Sequence, residues 1–369
     1  MKEFIKPDFT KSNLNISATL AEFLGAPNQN ATLPILKEEL QKNYKNVVFI
    51  CFDGLGIYPL KRNLKPDDFL MKNIKQVLLS TFPSTTTNAT TSLMLNKLPR
   101  EHGWFGWSLN FENIDKNVNI FLNTDSWTDE KLDIKDSPIA PLDYYFDNTN
   151  TDYQINTIFP SYVKVNHPER NKVYKSETEF FYSIKDICQK EGKQFIYAYY
   201  PDPDHTMHDF GVSSIQAKDV ITQISSDMQG IYNMTKDTLF IITADHGQVD
   251  IKGYIELYKD VKLMDMLKIY PFMEGRAPAF KVKDGKHEEF EKYFKSKYDK
   301  DFKLFKSSEL IDKGYFGEIG NKDDLLGDYI AIGTYTHKQV CLTPTHNMFK
   351  GHHTSLTEEM EVPLIILKN

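Results

Sequence analysis

Val47-Val48-Phe49-Ile50-Cys51-Phe52, followed at once by Asp53-Gly54, is the stretch on which the fold turns. Six residues in a row without polar alternation predict a strand buried on both faces, the situation of a parallel sheet covered by helices. The same pattern recurs twice. Gln194-Phe195-Ile196-Tyr197-Ala198-Tyr199-Tyr200 leads into Pro201-Asp202-Pro203-Asp204, and Thr238-Leu239-Phe240-Ile241-Ile242-Thr243 leads into Ala244-Asp245-His246-Gly247. Helical stretches lie between these runs: Glu177 to Lys190, and Ser214 to Tyr232 with Ile221, Ile224, Met228 and Ile231 on one face. Two more precede the first strand. Leu14 to Gly25 has Ser17 as its expected cap and Gly25 with Pro27 as its stop, and the second runs from Pro34 to Tyr44. Strands that alternate with helices and end in acid predict a three-layer α/β/α sandwich with a largely parallel central sheet and a site along one sheet edge.

Two regions depart from this alternation. Asn110 to Asn171 is rich in Asn and Asp and reads as loops or an excursion over the site. Lys259 to Lys338 contains a strand at Ala279 to Lys283, a helix at Lys286 to Tyr298 and a strand at Tyr329 to Gly333, a small α/β insertion. The expected division is therefore a core of residues 1–258 and 339–369 with an insertion of 259–338. At 369 residues the chain is long enough for one large domain with an insertion or for two domains, and either arrangement can bury a sizeable core.

A formal charge of −7 excludes a dominant basic surface for nucleic acid, though a nucleotide can still be a substrate. No apolar stretch reaches the roughly 20 residues of a membrane span. Cys51, Cys188 and Cys341 have no CxxC spacing and read as free thiols. With no secretory signal at the N-terminus, a cytoplasmic location is the expectation.

The chemistry-bearing residues are Asp53, then Asp204 and His208 four apart, the adjacent pair Asp245-His246, and His352-His353 near the C-terminus. Each alone has a plain structural explanation as a cap, a turn residue or a surface pair. Together they do not. Three strands that deliver carboxylates to one sheet edge concentrate negative charge there, and divalent cations relieve it. Oxygen and imidazole ligands without thiolate suit zinc or manganese.

A second group is Thr81-Phe82-Pro83-Ser84-Thr85-Thr86-Thr87-Asn88-Ala89-Thr90-Thr91-Ser92, where a strand end meets a helix start. Free N–H groups and the helix dipole favour a phosphoryl group there, and a hydroxyl that also touches a metal can attack phosphorus. A capping cluster is the alternative.

The order of strand-Asp-Gly, Phe-Pro-Ser-Thr-Thr, Asp-x-x-x-His, Ala-Asp-His-Gly and a late His resembles the alkaline phosphatase superfamily, and within it the nucleotide pyrophosphatase/phosphodiesterase branch, over roughly Asn46 to Leu367. The resemblance implies two divalent ions, zinc first with manganese as the alternative, and no organic cofactor. It implies one ion on Asp204, His208 and His353 and the other on Asp53, Asp245 and His246, with Thr86 reaching the second. Thr86 is favoured over Thr85 by the count from Pro83, and His353 over His352 by the residues that follow it. The implied reaction is ping-pong: Thr86 displaces the leaving group, and water then hydrolyses a phosphothreonine between ions about 4 Å apart.

The chain departs from the family's pattern near the substrate. An asparagine expected twenty-one residues after the nucleophile is Trp107, and an aromatic expected directly after it is Thr87. Asn88 is a candidate replacement donor. Tyr199 stands where relatives stack an aromatic on a base, with Trp104 and Phe105 beside Trp107 as further wall. Arg100 and Arg276 are kept out of the site, and His102 and His205 read as supporting or structural. A small phosphate ester or nucleotide is the expected partner, preferably a diester, with a phosphomonoesterase as the main alternative and an inactive metal- or anion-binding relative as the other.

Overall fold

A computed structural model describes residues 2–163 and 165–369. The N-terminal half lays down helices α1 (Leu14–Phe23) and α2 (Pro34–Leu40), strand β1 (Asn46–Phe52), helices α3 (Ile57–Asn63) and α4 (Phe69–Lys72), strand β2 (Ile74–Leu79), and helices α5 (Thr86–Leu95) and α6 (Pro99–His102). Strands β3 (Ser108–Phe111), β4 (Lys116–Asn119), β5 (Thr124–Asp125), β6 (Gln154–Pro160) and β7 (Asn171–Tyr174) follow. Then come α7 (Glu177–Cys188), β8 (Gln194–Tyr200), α8 (Asp204–Phe210), α9 (Ile215–Met234) and β9 (Thr238–Thr243).

The main sheet has seven strands, ordered β2, the C-terminal strand Glu361–Lys368, β9, β1, β8, β6 and β7. From β9 to β7 the pairing is parallel, while the C-terminal strand runs antiparallel to both of its neighbours. Every residue of β1 and β9 is buried, which is why these strands read as unbroken apolar runs. Cys51 pairs with Tyr199 on one side and Thr243 on the other, so the three strands end level. That registry brings their following acids to a single edge. The result is the expected α/β/α arrangement.

Ser17 does not cap α1. The N-cap position is Asn13, and the Ser17 hydroxyl inside the helix donates to the Leu93 carbonyl at 2.7 Å. This ties α1 to α5.

The stretch 110–171 is more ordered than its composition predicts, because its asparagines pair with one another and with backbone. Asn110 Nδ2 donates to Asn117 Oδ1 at 3.1 Å, Asn117 Nδ2 to the Tyr270 carbonyl at 2.8 Å, and Asn119 Nδ2 to Thr124 Oγ1 at 3.2 Å. Satisfied in this way, polar residues can occupy buried strand positions that a hydrophobicity pattern misses. β3, β4 and β5 join Phe272–Glu274, Ala277–Phe280, Tyr329–Gly333 and Phe302–Lys306 in a second seven-stranded sheet, antiparallel throughout. That sheet takes strands from both sides of residue 259. Helix His287–Tyr298 buries Phe290, Phe294 and Tyr298 against it. No helix among the described residues is long and apolar enough to cross a membrane.

Candidate active site

Asp53 follows β1, Asp245 and His246 follow β9, and Asp204 opens α8 just after β8, so the sheet edge gathers all four. Gly54 makes the approach possible. Its φ of 73° is in the left-handed region, and a Cβ there would come within 2.9 Å of the Asp204 side chain. Asp53 is almost fully buried, and the Tyr199 hydroxyl donates to its Oδ2 at 2.5 Å. Asp245 is held by the backbone N–H groups of Gly54 at 3.1 Å and His246 at 2.9 Å, both on Oδ1. Its Oδ2 is buried without a hydrogen-bond partner among the described residues.

The histidines share a pattern. Nδ1 of His246 lies 2.9 Å from the Gly247 carbonyl, Nδ1 of His208 lies 2.8 Å from the Gly351 carbonyl, and Nδ1 of His353 lies 3.0 Å from the Ser84 carbonyl. A carbonyl only accepts, so each Nδ1 carries a proton, and in the neutral ring Nε2 is the nitrogen with a free lone pair. The three Nε2 atoms face the carboxylates: His246 lies 3.4 Å from Asp53 and from Asp245, His208 lies 3.2 Å from Asp204, and His353 lies 3.8 Å from Asp204. Donation of the far N–H to a fixed backbone acceptor is how metal-binding imidazoles are oriented. Directly after His353, Thr354 has a φ of 87°, a conformation strained for a β-branched residue and held by its N–H on the same Ser84 carbonyl at 3.0 Å.

Thr86 opens α5 beside this cluster. Its Oγ1 lies 3.3 Å from each oxygen of Asp53 and 3.2 Å from His246 Nε2. The preceding Thr85 donates to Glu274 Oε1 at 2.7 Å, and the backbone N–H of Trp107 donates to the same oxygen at 2.8 Å.

The electrostatics suit a cation. Burial first, then the charges of Asp245 and Asp204, push the Asp53 carboxyl well above its ordinary range. Burial raises Asp245 as well. Asp204 goes the other way: burial would raise it, but the charge and hydrogen bond of His208 outweigh that. Burial holds His353 neutral. An unpaired buried carboxylate oxygen, acids crowded enough to resist ionising, and imidazoles with lone pairs aimed inward fit divalent ions.

Ligand atoms of Asp53, Asp245 and His246 lie within 4.8 Å of one another, one of the sets the resemblance implied. The other set, Asp204, His208 and His353, divides between two such groups, Asp204 with His246 and His353, and His208 with His352 and His353.

The remaining expected residues take different positions. Asn88 is fully buried and its amide donates back to the Pro83 carbonyl at 2.9 Å. Trp107 is 43% exposed, with Phe121 edge-on to its ring at 6.2 Å. Arg100 pairs with Asp323, and Arg276 is buried against Glu359. His102 is buried between Ser92 and the Trp104 N–H, and His205 is exposed.

Sequence reasoning missed four contributors. Glu274, which burial raises to about 7, sits at the end of a short strand remote in sequence from Thr85. Gln248 Nε2 donates to the Asp204 carboxylate and, at 3.1 Å, to the Asp204 carbonyl. Asn13 and Ser80 donate to the Asp245 carbonyl at 3.0 and 2.6 Å. Only Gln248, two residues past His246, carried a positional signal.

The family model for type I phosphodiesterase / nucleotide pyrophosphatase matches residues 47–333. No curated protein matches the chain in sequence. Among solved structures, murine ectonucleotide pyrophosphatase / phosphodiesterase 5 is similar with a TM-score of 0.64 and 17% identity over 88% of each chain. An inactive form of that protein in complex with AMP has a TM-score of 0.61 and 17% identity over 87% of each chain. Phosphonoacetate hydrolase from Sinorhizobium meliloti has a TM-score of 0.63 and 15% identity over 87% of this chain and 89% of that one. At such identities these neighbours establish the shared fold, while the family model extends over most of the sequence, including Asp53, Thr86, Asp204, His208, Asp245 and His246. The chain belongs to the type I phosphodiesterase / nucleotide pyrophosphatase family, whose members are hydrolases.

Proposed function

We propose that the chain hydrolyses phosphodiester or phosphoanhydride bonds of a nucleotide-like substrate, with Thr86 as nucleophile between two divalent ions, zinc or manganese, and a phosphothreonine intermediate. The observation that carries this is the Thr86 hydroxyl, set at the start of α5 against both oxygens of Asp53 and Nε2 of His246. Asp53, Asp245 and His246 would hold one ion, and Asp204, His208 and His353 the other. Bound there, the ions supply Lewis acidity to the attacking and leaving oxygens.

The chain's own residues do the rest. Thr86 Oγ1 forms the new bond to phosphorus as the bond to the leaving alcohol or phosphate breaks, and water then cleaves the phosphothreonine and restores the hydroxyl. The free N–H groups of the first turn of α5 receive the phosphoryl oxygens. Tyr199 fixes Asp53 through its hydroxyl, which supports a positioning role for it beside any stacking one.

Two features favour a diester or anhydride over a monoester. Arg100 and Arg276, the arginines available for a terminal phosphate, are committed to Asp323 and Glu359. Glu274 places a carboxyl rather than a cation beside Thr85, where a second phosphate charge would be disfavoured. A nucleotide leaving group is supported by the AMP-bound neighbour and by the exposed face of Trp107, while Asn88, turned toward Pro83, supports the backbone more directly than a phosphate.

In the same reading residues 1–258 and 339–369 form the hydrolase core, and 259–338 form an insertion whose sheet borrows β3, β4 and β5. A cytoplasmic location belongs to it too, and the unpaired Cys51, Cys188 and Cys341 support it.

Thr86→Ala tests the proposal. Turnover of bis-p-nitrophenyl phosphate should fall by about 10³-fold or more with metal content unchanged; hydrolysis that persists removes the nucleophile. A wild-type preference for p-nitrophenyl phosphate would reverse the substrate assignment, and no hydrolysis of either ester by the metal-loaded protein would make the chain a binder.

A further inference from the structure

We propose that His352 is an additional ligand of the ion held by Asp204, His208 and His353, and that His346 accepts the hydrogen bond of its outer nitrogen. The proposal rests on the two-ion reading above and concerns a residue that reading leaves unused.

Ligand-capable nitrogens of His208, His352 and His353 lie within 4.8 Å of one another. The rings form a continuous cluster, with centroids of His352 at 4.8 Å from His353 and 5.4 Å from His208. His352 differs from its neighbours in one respect. His208, His246 and His353 each give Nδ1–H to a backbone carbonyl, whereas both ring nitrogens of His352 are buried without a hydrogen-bond partner among the described residues. A neutral imidazole has one donor and one acceptor to satisfy, and burying both unpaired is costly. A bound ion on one nitrogen and a hydrogen bond on the other would satisfy both.

The surroundings supply that second partner. A side chain at Gly275 would meet His352 Nε2 at 2.8 Å and His346 Nε2 at 3.2 Å, so the two nitrogens converge on space that glycine leaves open. His346 Nε2 is likewise buried and unpartnered. With Nε2 of His352 turned to His346, Nδ1 is left for the ion, and His346 takes the place that carbonyls occupy behind the other three imidazoles. Nor is His352 on a loose tether. Its backbone pairs with Val249 in a two-residue antiparallel bridge, three residues past His246.

A third imidazole beside a single carboxylate changes what this position prefers. Nitrogen-rich sites select zinc, cobalt or copper over manganese and magnesium. The ion at this end should therefore be zinc-like, whatever occupies the other.

Calorimetric titration of cobalt(II) into the chelator-stripped full chain, with absorption spectra at each addition, tests the proposal. Wild type should bind two ions. His352→Gln should weaken one of them about tenfold or more and alter the visible spectrum of that ion alone, and His346→Gln should weaken the same ion by about tenfold. Two ions with wild-type affinities and spectra in His352→Gln would overturn the assignment and leave the pair bridged by water. Should that variant not fold, unchanged binding in His346→Gln overturns it equally. A wild-type chain that takes up no cobalt would instead remove the two-ion reading beneath it.

Discussion

The two halves of the ligand cluster face opposite problems. Asp53 and Asp245 come directly off the ends of adjacent strands, buried and close, and their trouble is too much negative charge. His208 comes from a helix and His353 from the C-terminal segment, and the two are tied together through Gly351. Their trouble is two imidazoles sharing one carboxylate, Asp204, which lies 3.2 Å from His208 and 3.8 Å from His353. A cation would relieve the first half of repulsion and give the second a further partner. Removing it should therefore cost fold stability at the carboxylate half and mainly ligand order at the histidine half.

Asp53→Asn breaks this comparison most sharply. With metal present, turnover should fall by about 10³-fold or more, because the substitution removes a ligand and the charge beside Thr86. In chelator the sign reverses. Asp53 holds its proton more tightly folded than unfolded, so at alkaline pH its ionised form opposes folding, and the neutral amide should raise the melting temperature by a few degrees. His353→Asn, from a half without that repulsion, should give no such gain. Equal thermal shifts for the two in chelator would remove the distinction between the halves.

Tyr199→Phe comes next. It deletes only the hydroxyl on Asp53, and loss of a group that orients a ligand typically weakens metal affinity or activity by about 10- to 100-fold. The loss should appear in the ion at the carboxylate half, read by competition with a chelating dye. An effect confined to the KM of a nucleotide substrate would mean that the ring stacks and the hydroxyl is incidental.

How much of this was legible depended on which half a residue serves. β1 and β9 are buried throughout and β8 over its first five residues, and all three are parallel, so they had to be written as largely apolar runs, and the acids at their ends stood out against them. The histidine half was legible in His208, four residues after Asp204, and in the His352-His353 pair. Only the resemblance favoured His353 within that pair, since both turn toward His208 and no periodicity decides between them. The strands β3 to β5 were hidden because many of their buried positions are polar, among them Asn110, Asn117 and Asn119, satisfied by hydrogen bonds within the fold. Glu274 was hidden for a different reason: a carboxylate in Phe272-Met273-Glu274 has no local feature to mark it, and its meaning comes from Thr85 and Trp107, brought to it only by the second sheet.

That glutamate offers the finest adjustment of the comparison, because its charge acts on His208 and Asp204, at the histidine half. Burial raises it to about 7 from an ordinary 4.5, so the folded chain holds its proton more tightly than the unfolded chain does. Its contribution is thus fully present below pH 4.5 and is lost as pH climbs through 7, on the order of 3 kcal/mol across that window. Glu274→Gln keeps the acceptor for Thr85 and the Trp107 N–H and removes the titration. Urea unfolding in chelator at pH 5 and pH 8 should show the variant gaining on wild type at the higher pH; the same pH dependence in both would mean that Glu274 does not titrate there. On turnover the effect should be small, roughly a fivefold rise in monoester relative to diester hydrolysis, about 1 kcal/mol of repulsion relieved. An unchanged ratio would place Glu274 in the scaffold of α5 and out of substrate selection.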